Sequence, residues 1–341
     1  LLRWKPRIIV VTGSSGKTTL LHLIESQLGE KARYSHHANS SYGIPFDILG
    51  LERKTLMLYE WLGLFLKAPF QAFSSIPKQK IYIVEADCDR PFEGRFLSTF
   101  LKPEVTIWLS LSRTHSMNFD NLVEQGKFEN VEEAIASEYG CFLEATKKLA
   151  IINSDSQLIN KELSRTKADV VHISGKNLID YKVSLKGSNF KINGNDYNFN
   201  FLLPEGTFYL ISAVLELLKY LELPLDSVFS KFILPPGRSS IFKGVKNITI
   251  IDSCYNSNYG SAQEVINMFN KISANKKWAV IGDMLEQGKS EREEHEKLAN
   301  QVVKSNYNRV VLLGPRIIKY GLPILNEHYK SIVIGFENPR E

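Results

Sequence analysis

The sequence is poor in cysteine and lacks a long apolar run. Its 341 residues include three cysteines, Cys88, Cys141 and Cys254, and none has the spacing of a metal site. So few and scattered cysteines argue against a disulfide framework and favour a reducing, cytoplasmic setting. No signal peptide opens the chain, and no uninterrupted apolar span reaches the length that crosses a bilayer.

The chain also lacks a dominant charge. It carries 42 Lys or Arg against 37 Asp or Glu, a formal charge of +5, and the basic residues are spread along its length. This balance argues against nucleic acid as a partner. The hydrophobic fraction of 43% and the length are typical of a globular protein with two domains, expected to be a monomer acting on small molecules.

The most informative segment is Thr12-Gly13-Ser14-Ser15-Gly16-Lys17-Thr18-Thr19. It follows a branched apolar run, Ile8–Val11, and precedes residues with helical spacing, so we predict a strand, a phosphate-binding loop and a helix. Lys17 can reach terminal phosphates, and the Thr18 hydroxyl can bind Mg²⁺. Val11 stands where the common pattern has its first glycine. A plain Gly/Ser turn is the alternative, but it needs no Lys-Thr-Thr.

Apolar runs alternate with helical segments through residue 150 and predict an α/β fold with a doubly wound, mostly parallel sheet. Ile81–Val84 ends at Glu85, Val105–Leu109 leads to His115, and Ala150–Ile152 is a further strand. Because ligands bind at the carboxyl ends of such strands, we expect the phosphate loop, Glu85 and His115 on one rim.

The second half of the chain predicts two further features. Residues 168–203 alternate between apolar and polar and contain the turn Asn193-Gly194, which predicts a small antiparallel patch. From about residue 240 we expect a second, Rossmann-like α/β domain. Its predicted strands and helices are Ile248–Ile251, Trp278–Ile281, Arg309–Leu313, Ser331–Gly335, Ser261–Ile272 and Glu291–Ser305. The expected domains are 1–236 and 237–341, the second incomplete at its C-terminus.

The segment Tyr59–Phe73 is unusually apolar and aromatic. The favoured interpretation is a buried helix ended by Pro69. The other interpretation is a surface that lies on a membrane or binds a partner.

The order of the motifs resembles the Mur ligases, ATP-dependent amide-forming enzymes of peptidoglycan synthesis, and among them the branch that adds D-alanyl-D-alanine to the UDP-muramoyl tripeptide. The matching motifs are Thr12–Thr19, Asn39 with Tyr42–Pro45, Val84–Asp87, Lys102–Val105 with His115, Ala150–Asp155, Pro236–Arg238, Asp252–Asn258, and Ile281–Gly288 with His295. The resemblance covers nearly the whole chain. From this resemblance we expect that the family's N-terminal UDP-sugar domain and the end of its C-terminal domain lie outside this sequence.

The resemblance implies that ATP and Mg²⁺ are used. Lys17 and the amides of Gly13–Thr19 would hold phosphates, while Thr18 and Glu85 would hold one Mg²⁺. His115 would help hold a second ion, and Arg238 would contact phosphate. Asp252, Tyr255 and Asn256 would contact the nucleoside. Taken singly, Glu85 is better explained as a solvated charge and His115 as a loop histidine. For Arg238 the alternative is a brace of the hinge, and phosphate contact is the favoured interpretation.

Three departures from the family pattern stand out. The family has a lysine, often carbamylated, where ungapped alignment places Glu138 and a one-residue shift places Tyr139. We predict that Glu138 supplies the missing carboxylate at the second metal. Where the family has G-x-H-N-x-x-N, the stretch Pro204-Glu205-Gly206-Thr207-Phe208-Tyr209-Leu210-Ile211 has lost the histidine and both asparagines. The family's double aspartate has become Asp252-Ser253.

Three functions follow from these observations. The leading one is an ATP- and Mg²⁺-dependent amide ligase that activates a peptide carboxylate of a cell-wall precursor and joins it to an amine. The second is a degenerate relative that binds nucleotide as a regulator or scaffold. The third, a P-loop kinase or GTPase, lacks a guanine motif and leaves the C-terminal motifs unexplained.

Overall fold

Helices and strands alternate along the chain in the computed structural model, which describes residues 1–36, 38–55, 57–74, 76–329 and 333–338. The strands are β1 Arg7–Thr12, β2 Ala32–Tyr34, β3 Ile81–Glu85, β4 Val105–Trp108, β5 Leu149–Asn153, β6 Asp169–Ile173, β7 Leu178–Ser184, β8 Gly187–Ile192, β9 Asn195–Phe199, β10 Ser240–Lys243, β11 Thr249–Asp252, β12 Trp278–Gly282, β13 Arg309–Leu313 and β14 Val333–Phe336. The helices are α1 Lys17–Leu28, α2 Gly43–Ile48, α3 Leu58–Ala72, α4 Glu93–Leu101, α5 Asp120–Glu124, α6 Val131–Ala145, α7 Gln157–Glu162, α8 Thr207–Leu221, α9 Tyr259–Lys271, α10 Glu291–Val303 and α11 Pro315–Tyr329.

The chain divides into two compact units. The first comprises Leu1–Leu111, Glu133–Gly175 and Tyr209–Ile233; the second comprises Ser112–Glu132, Lys176–Phe208 and Leu234–Glu341.

The first unit is built on a parallel sheet in the order β2-β3-β1-β4-β5-β6. The central strand β1 is buried from Ile8 to Thr12 because helices cover both faces of such a sheet, which explains its unbroken apolar sequence. The prediction of a doubly wound parallel sheet is confirmed. Strands β3 and β4 flank β1, so the segments that follow all three strands meet at one edge.

The second unit contains the predicted antiparallel patch, a sheet in the order β7-β8-β9. Asn193 and Gly194 join β8 to β9 with φ values of 49° and 87°. Positive φ at both central residues matches the twist of a tight hairpin, so the Asn-Gly signal is confirmed.

A second α/β sheet, with three strands, follows in the same unit. Strands β12, β13 and β14 are parallel, with α10 and α11 as the crossovers between them. The apolar cluster of this layout includes Leu298, Val310 and Leu325. The predicted strand at residues 331–335 is represented by β14; residues 331 and 332 lie outside the described residues.

One predicted strand pairs differently. Residues 248–251 were expected in the Rossmann-like sheet, but β11 pairs with β10 as an antiparallel ribbon of two strands. The two strands are joined by Gly244–Ile248, where the amide of Gly244 donates to the carbonyl of Ile248 at 2.8 Å. This hydrogen bond closes a hairpin between β10 and β11. The composition of residues 248–251 predicts a strand but does not distinguish a parallel from an antiparallel one.

The apolar segment Tyr59–Phe73 differs from the favoured expectation. Helix α3 passes through Pro69 and ends at Ala72, and Leu64 is its buried residue. The interpretation as a buried helix ended by Pro69 is therefore wrong. Within the described residues, no helix is both long and apolar enough to cross a membrane.

Candidate active site

The predicted phosphate loop connects β1 to α1. Gly13 has a φ of 120° and Gly16 a φ of 78°, conformations that favour glycine. Gly16 is the residue before the first turn of α1, which begins at Lys17. The loop therefore presents the N-terminus of a twelve-residue helix, where free amides and the helix dipole favour an anion.

Ser110, which the sequence analysis did not single out, holds the loop from the side of β4. Its Oγ accepts from the Ser15 amide at 2.9 Å and donates to the Ser15 carbonyl at 2.7 Å. Its carbonyl accepts from the Ser14 amide at 3.2 Å and from Trp108 Nε1 at 3.0 Å. These bonds fix the loop without using the amides of the helix terminus.

Lys17 is held by Asp87, which lies in the Val84–Asp87 motif but has no role predicted from the sequence. Its Nζ lies 2.9 Å from Asp87 Oδ2 and donates to the Gly13 carbonyl at 2.5 Å. Burial lowers the pKa of Lys17, but the charges of Asp87 and Glu85 outweigh it, so the pKa is raised above its ordinary value. The side chain therefore stays an ammonium although it is 8% exposed.

Tyr139 completes this group, because its hydroxyl donates to Asp87 Oδ1 at 2.9 Å. Asp87 follows Glu85 by two residues, the period that returns an extended chain to the same side. That spacing is the sequence signal that could have identified it. Tyr139 is the residue that a one-residue shift aligns with the family's lysine.

Glu85 and Thr18 form the other pair. The Thr18 hydroxyl donates to Glu85 Oε1 at 3.1 Å, and the Glu85 amide donates to Ser35 Oγ at 2.9 Å. Glu85 is 6% exposed, so its carboxylate is held at the end of β3 rather than solvated. The structure thus brings together an alcohol oxygen and a carboxylate, the hard ligands that Mg²⁺ prefers.

Glu138 has a different position from the one predicted. Its two carboxylate oxygens accept from the amides of Phe92 at 2.8 Å and Gly94 at 3.0 Å, at the start of α4. Burial raises the pKa of Glu138, and the amide bonds partly oppose this rise. This bonding assigns Glu138 to a helix terminus, whose unpaired amides attract a carboxylate, rather than to a metal.

We expect Glu138→Ala to lower the free energy of unfolding by about 0.5–2 kcal/mol, the usual loss when a helix terminus loses its cap. Urea denaturation measures this loss. Glu133→Ala is the matched control on the same helix, because Glu133 pairs with the exposed Lys161 and its loss should cost less than about 1 kcal/mol. Unchanged stability of Glu138→Ala, together with an altered Mg²⁺ requirement, would restore the metal-binding interpretation.

The altered G-x-H-N-x-x-N segment also contacts a recognised motif. Tyr209, in place of an asparagine of the family pattern, donates its hydroxyl to Asp155 Oδ2 at 2.6 Å. The same carboxyl group accepts from Ser174 Oγ at 3.0 Å and from the Gly175 amide. A tyrosine thus contacts the aspartate of the A-I-I-N-x-D motif here. Leu210 beside it packs against Gly16 of the loop.

In the second unit, the predicted hinge and nucleoside residues lie together. The Arg238 guanidinium lies over the Tyr255 ring, 4.2 Å from its centroid. The Asp252 carboxylate accepts from the Cys254 amide at 3.0 Å, and Asn256 Oδ1 accepts from the Ser257 amide at 2.9 Å. The Arg238 and Tyr255 pair joins two motifs that are seventeen residues apart in the sequence.

His115 contacts the Ile281–Gly288 motif. Its Nδ1 pairs with Glu286, and the backbone of Glu286 also accepts from the Met117 amide at 3.3 Å.

His295 has an architectural position, since its Nε2 accepts from the Met284 amide at 3.0 Å and its Nδ1 contacts the Glu291 carbonyl at 2.6 Å. One ring nitrogen must accept while the other donates, so these contacts fit a neutral imidazole.

Family models match most of the chain. The model of the Mur ligase middle domain matches residues 11–211, and that of the Mur ligase, glutamate ligase domain matches residues 237–322.

Among curated relatives, the UDP-N-acetylmuramoyl-tripeptide–D-alanyl-D-alanine ligase of Buchnera aphidicola subsp. Baizongia pistaciae is 26% identical over 325 residues, covering 90% of this chain and 63% of its own. The enzyme of the same name from Borreliella burgdorferi is 26% identical over 327 residues, covering 91% of this chain and 62% of its own.

Solved structures share the fold. The MurF ligase of Thermotoga maritima in complex with ADP superposes with a TM-score of 0.75 at 19% identity, covering 99% of this chain and 72% of that one. A MurF of Acinetobacter baumannii gives a TM-score of 0.74 at 16% identity, covering 97% of this chain and 73% of that one. The chain spans slightly less than two thirds of the length of the two curated relatives.

Proposed function

The chain belongs to the Mur ligase family, as the order of its motifs predicted, and on that premise we propose that it is an ATP-dependent ligase. It would join a peptide carboxylate to an amine through an acyl phosphate. The names of the relatives suggest a UDP-muramoyl tripeptide and D-alanyl-D-alanine as these substrates. The observation that carries the proposal is the contact of Thr18 with Glu85 beside the buried Lys17.

ATP would bind with its phosphates at the start of α1. The amides of Gly13–Thr19 that Ser110 does not use would face the anion, and Lys17 would supply a buried positive charge. A buried ammonium stabilises phosphate charge more strongly than an exposed one, because water screens it less.

The residues present fit a magnesium ion. Thr18 and Glu85 offer an alcohol and a carboxylate oxygen 3.1 Å apart. Thr18 lies in the first turn of α1 and Glu85 is the last residue of β3, so both are held by regular secondary structure. When bound, Mg²⁺ would neutralise phosphate charge and so favour attack by an anionic carboxylate. His115 would help hold a second ion.

The proposed reaction has two group transfers. A carboxylate oxygen of the peptide bonds to the γ-phosphorus of ATP while the bond to ADP breaks. The amine nitrogen then bonds to the acyl carbon, phosphate leaves and the amine loses a proton. Lys17 would hold the phosphate that moves in the first step and leaves in the second, so its contribution is electrostatic stabilisation and positioning.

The remaining assignments are part of the same proposal. Arg238 would contact phosphate, and Asp252, Tyr255 and Asn256 would contact the nucleoside. The contact between Arg238 and Tyr255 supports a common role for these two motifs. We place the boundary between the ATPase and C-terminal domains after residue 236, and the reaction in the cytoplasm, where ATP is available.

Phosphate release tests the proposal. With ATP, Mg²⁺, UDP-muramoyl tripeptide and D-alanyl-D-alanine present, we expect release that stops when either acceptor is omitted. Glu85→Gln should require more Mg²⁺ for half-maximal release, because an amide oxygen attracts the ion less than a carboxylate does. Nucleotide binding without release under any of these conditions would contradict the ligase proposal and favour a regulator.

A further inference from the structure

Helix α3 presents its large apolar side chains to solvent. The α3 face is defined by the exposed residues Leu58, Tyr59, Leu62, Phe65, Leu66, Phe70 and Phe73. Leu58 is 87% exposed, Phe70 80% and Phe73 81%. Spacings of three and four residues place these side chains on one stripe of the helix. A contiguous stripe of this kind marks an interaction surface, whereas single exposed apolar residues do not.

The opposite side of α3 anchors it to the first unit. Leu64 is 6% exposed, and the Trp61 ring lies 5.5 Å from that of Tyr42 and 5.9 Å from that of Phe46. Glu60 fixes the approach to the helix, because its carboxylate accepts from the amides of Lys54 and Thr55. The α3 face is therefore held outward by a packed inner side.

Several basic residues belong to the stretch of sequence around α3. Those in the segments next to α3 and within it are exposed: Arg53, Lys54, Lys67, Lys78 and Lys80. Arg3 adds a basic residue at the end of the helix, since its Nη1 donates to the Ala72 carbonyl at 2.6 Å.

We propose that the α3 face binds the surface of an anionic lipid bilayer. The apolar stripe would enter the boundary between headgroups and acyl chains, and the basic residues would remain among the phosphates. Tyr59 suits this boundary, because its ring is apolar and its hydroxyl is polar. The inference is independent of the ligase proposal and uses none of its residues.

Charge decides between a bilayer and a second copy of the chain. In a two-fold dimer the same surface lies on both sides of the interface, so Lys67 and the basic flanks of one copy would meet an equally basic surface on the other. Like charges held at an interface oppose association, whereas anionic headgroups are complementary to them. The observations therefore favour lipid.

Vesicle co-sedimentation tests the proposal with the whole chain. We expect binding to vesicles of phosphatidylglycerol and phosphatidylcholine, weaker binding to phosphatidylcholine alone, and a decrease as salt screens the charges. Leu62→Asp with Phe70→Asp should weaken binding at least about tenfold, because two carboxylates replace the penetrating side chains. Ile233→Asp is the control, since Ile233 is 71% exposed but lies outside the α3 face.

Three outcomes would overturn the proposal. The first is that the chain does not bind vesicles, and the second is that the double substitution leaves vesicle binding unchanged. The third is that the chain does not bind vesicles but forms a concentration-dependent dimer, which the double substitution abolishes. Circular dichroism of the double variant verifies that it is folded. Lys17→Met should bind vesicles like the unaltered chain, which separates this result from the fate of the ligase proposal.

Discussion

Replacing Lys17 with Met should lower ATP-dependent phosphate release at least about 1000-fold, because the reaction depends on electrostatic stabilisation of transferred phosphate. The neutral side chain is close to lysine in length but carries no charge for the phosphate. Steady-state release under saturating Mg²⁺ measures the effect, and nucleotide titration shows whether binding is lost as well.

The same substitution also affects folding, and this effect needs its own control. Lys17 is paired with Asp87 at 2.9 Å in a buried setting. Removing one partner of such a pair leaves an uncompensated charge and costs about 3–5 kcal/mol. The double variant Lys17→Met with Asp87→Asn removes both charges, so we expect it to regain much of the lost stability while phosphate release stays low. Release close to that of the unaltered chain in either variant would contradict the role assigned to Lys17.

Gly13→Ala should abolish nucleotide binding and lower the free energy of unfolding by about 2–4 kcal/mol. A Cβ at Gly13 would lie 2.7 Å from the Ser110 carbonyl oxygen and 3.2 Å from the Trp108 ring, and the φ of 120° is one that L side chains rarely adopt. The carbonyl cannot easily retreat, because the Ser14 amide and Trp108 Nε1 both donate to it. The loop must therefore change its shape to accept the methyl group.

Gly29→Ala is the matched control for this prediction. Gly29 also has a positive φ, 50°, but a Cβ there meets no atom within 4 Å. Its cost should be limited to the backbone strain of about 1–3 kcal/mol, and nucleotide binding should persist. Urea denaturation and nucleotide titration measure both variants. Equal effects of the two substitutions on nucleotide binding would show that the contact with Ser110 does not matter.

The sequence predicts the proximity of Thr18 and Glu85, because the order of strands and helices is enough to determine it. Parallel strands with a shared edge bring the segments after β1 and β3 together, so the proximity of Thr18 and Glu85 follows from the order of elements. Ser110 was missed because serine in a loop has no distinctive signal. Asp87 was missed although its spacing from Glu85 was visible.

Other features depend on packing that a single sequence does not contain. The period of α3 predicts a helix, but the choice of the inner side depends on Tyr42 and Phe46, which receive Trp61. Similarly, Glu138 and Tyr139 are neighbours on α6, and a rotation of one residue decides which of them reaches Asp87 and which reaches α4. Strand β11 has the composition of a sheet strand, and its partner is decided by the hairpin with β10.

The charges of Lys17, Asp87 and Glu85 also affect the order in which metal and nucleotide bind. Around one ammonium, Asp87 and Glu85 supply two carboxylates, so the immediate surroundings are more negative than positive. A bare triphosphate would meet repulsion there, whereas the same molecule already complexed with a divalent cation would carry part of the missing positive charge with it. Metal and nucleotide would then arrive as one species, and chelating the cation would remove affinity as well as turnover.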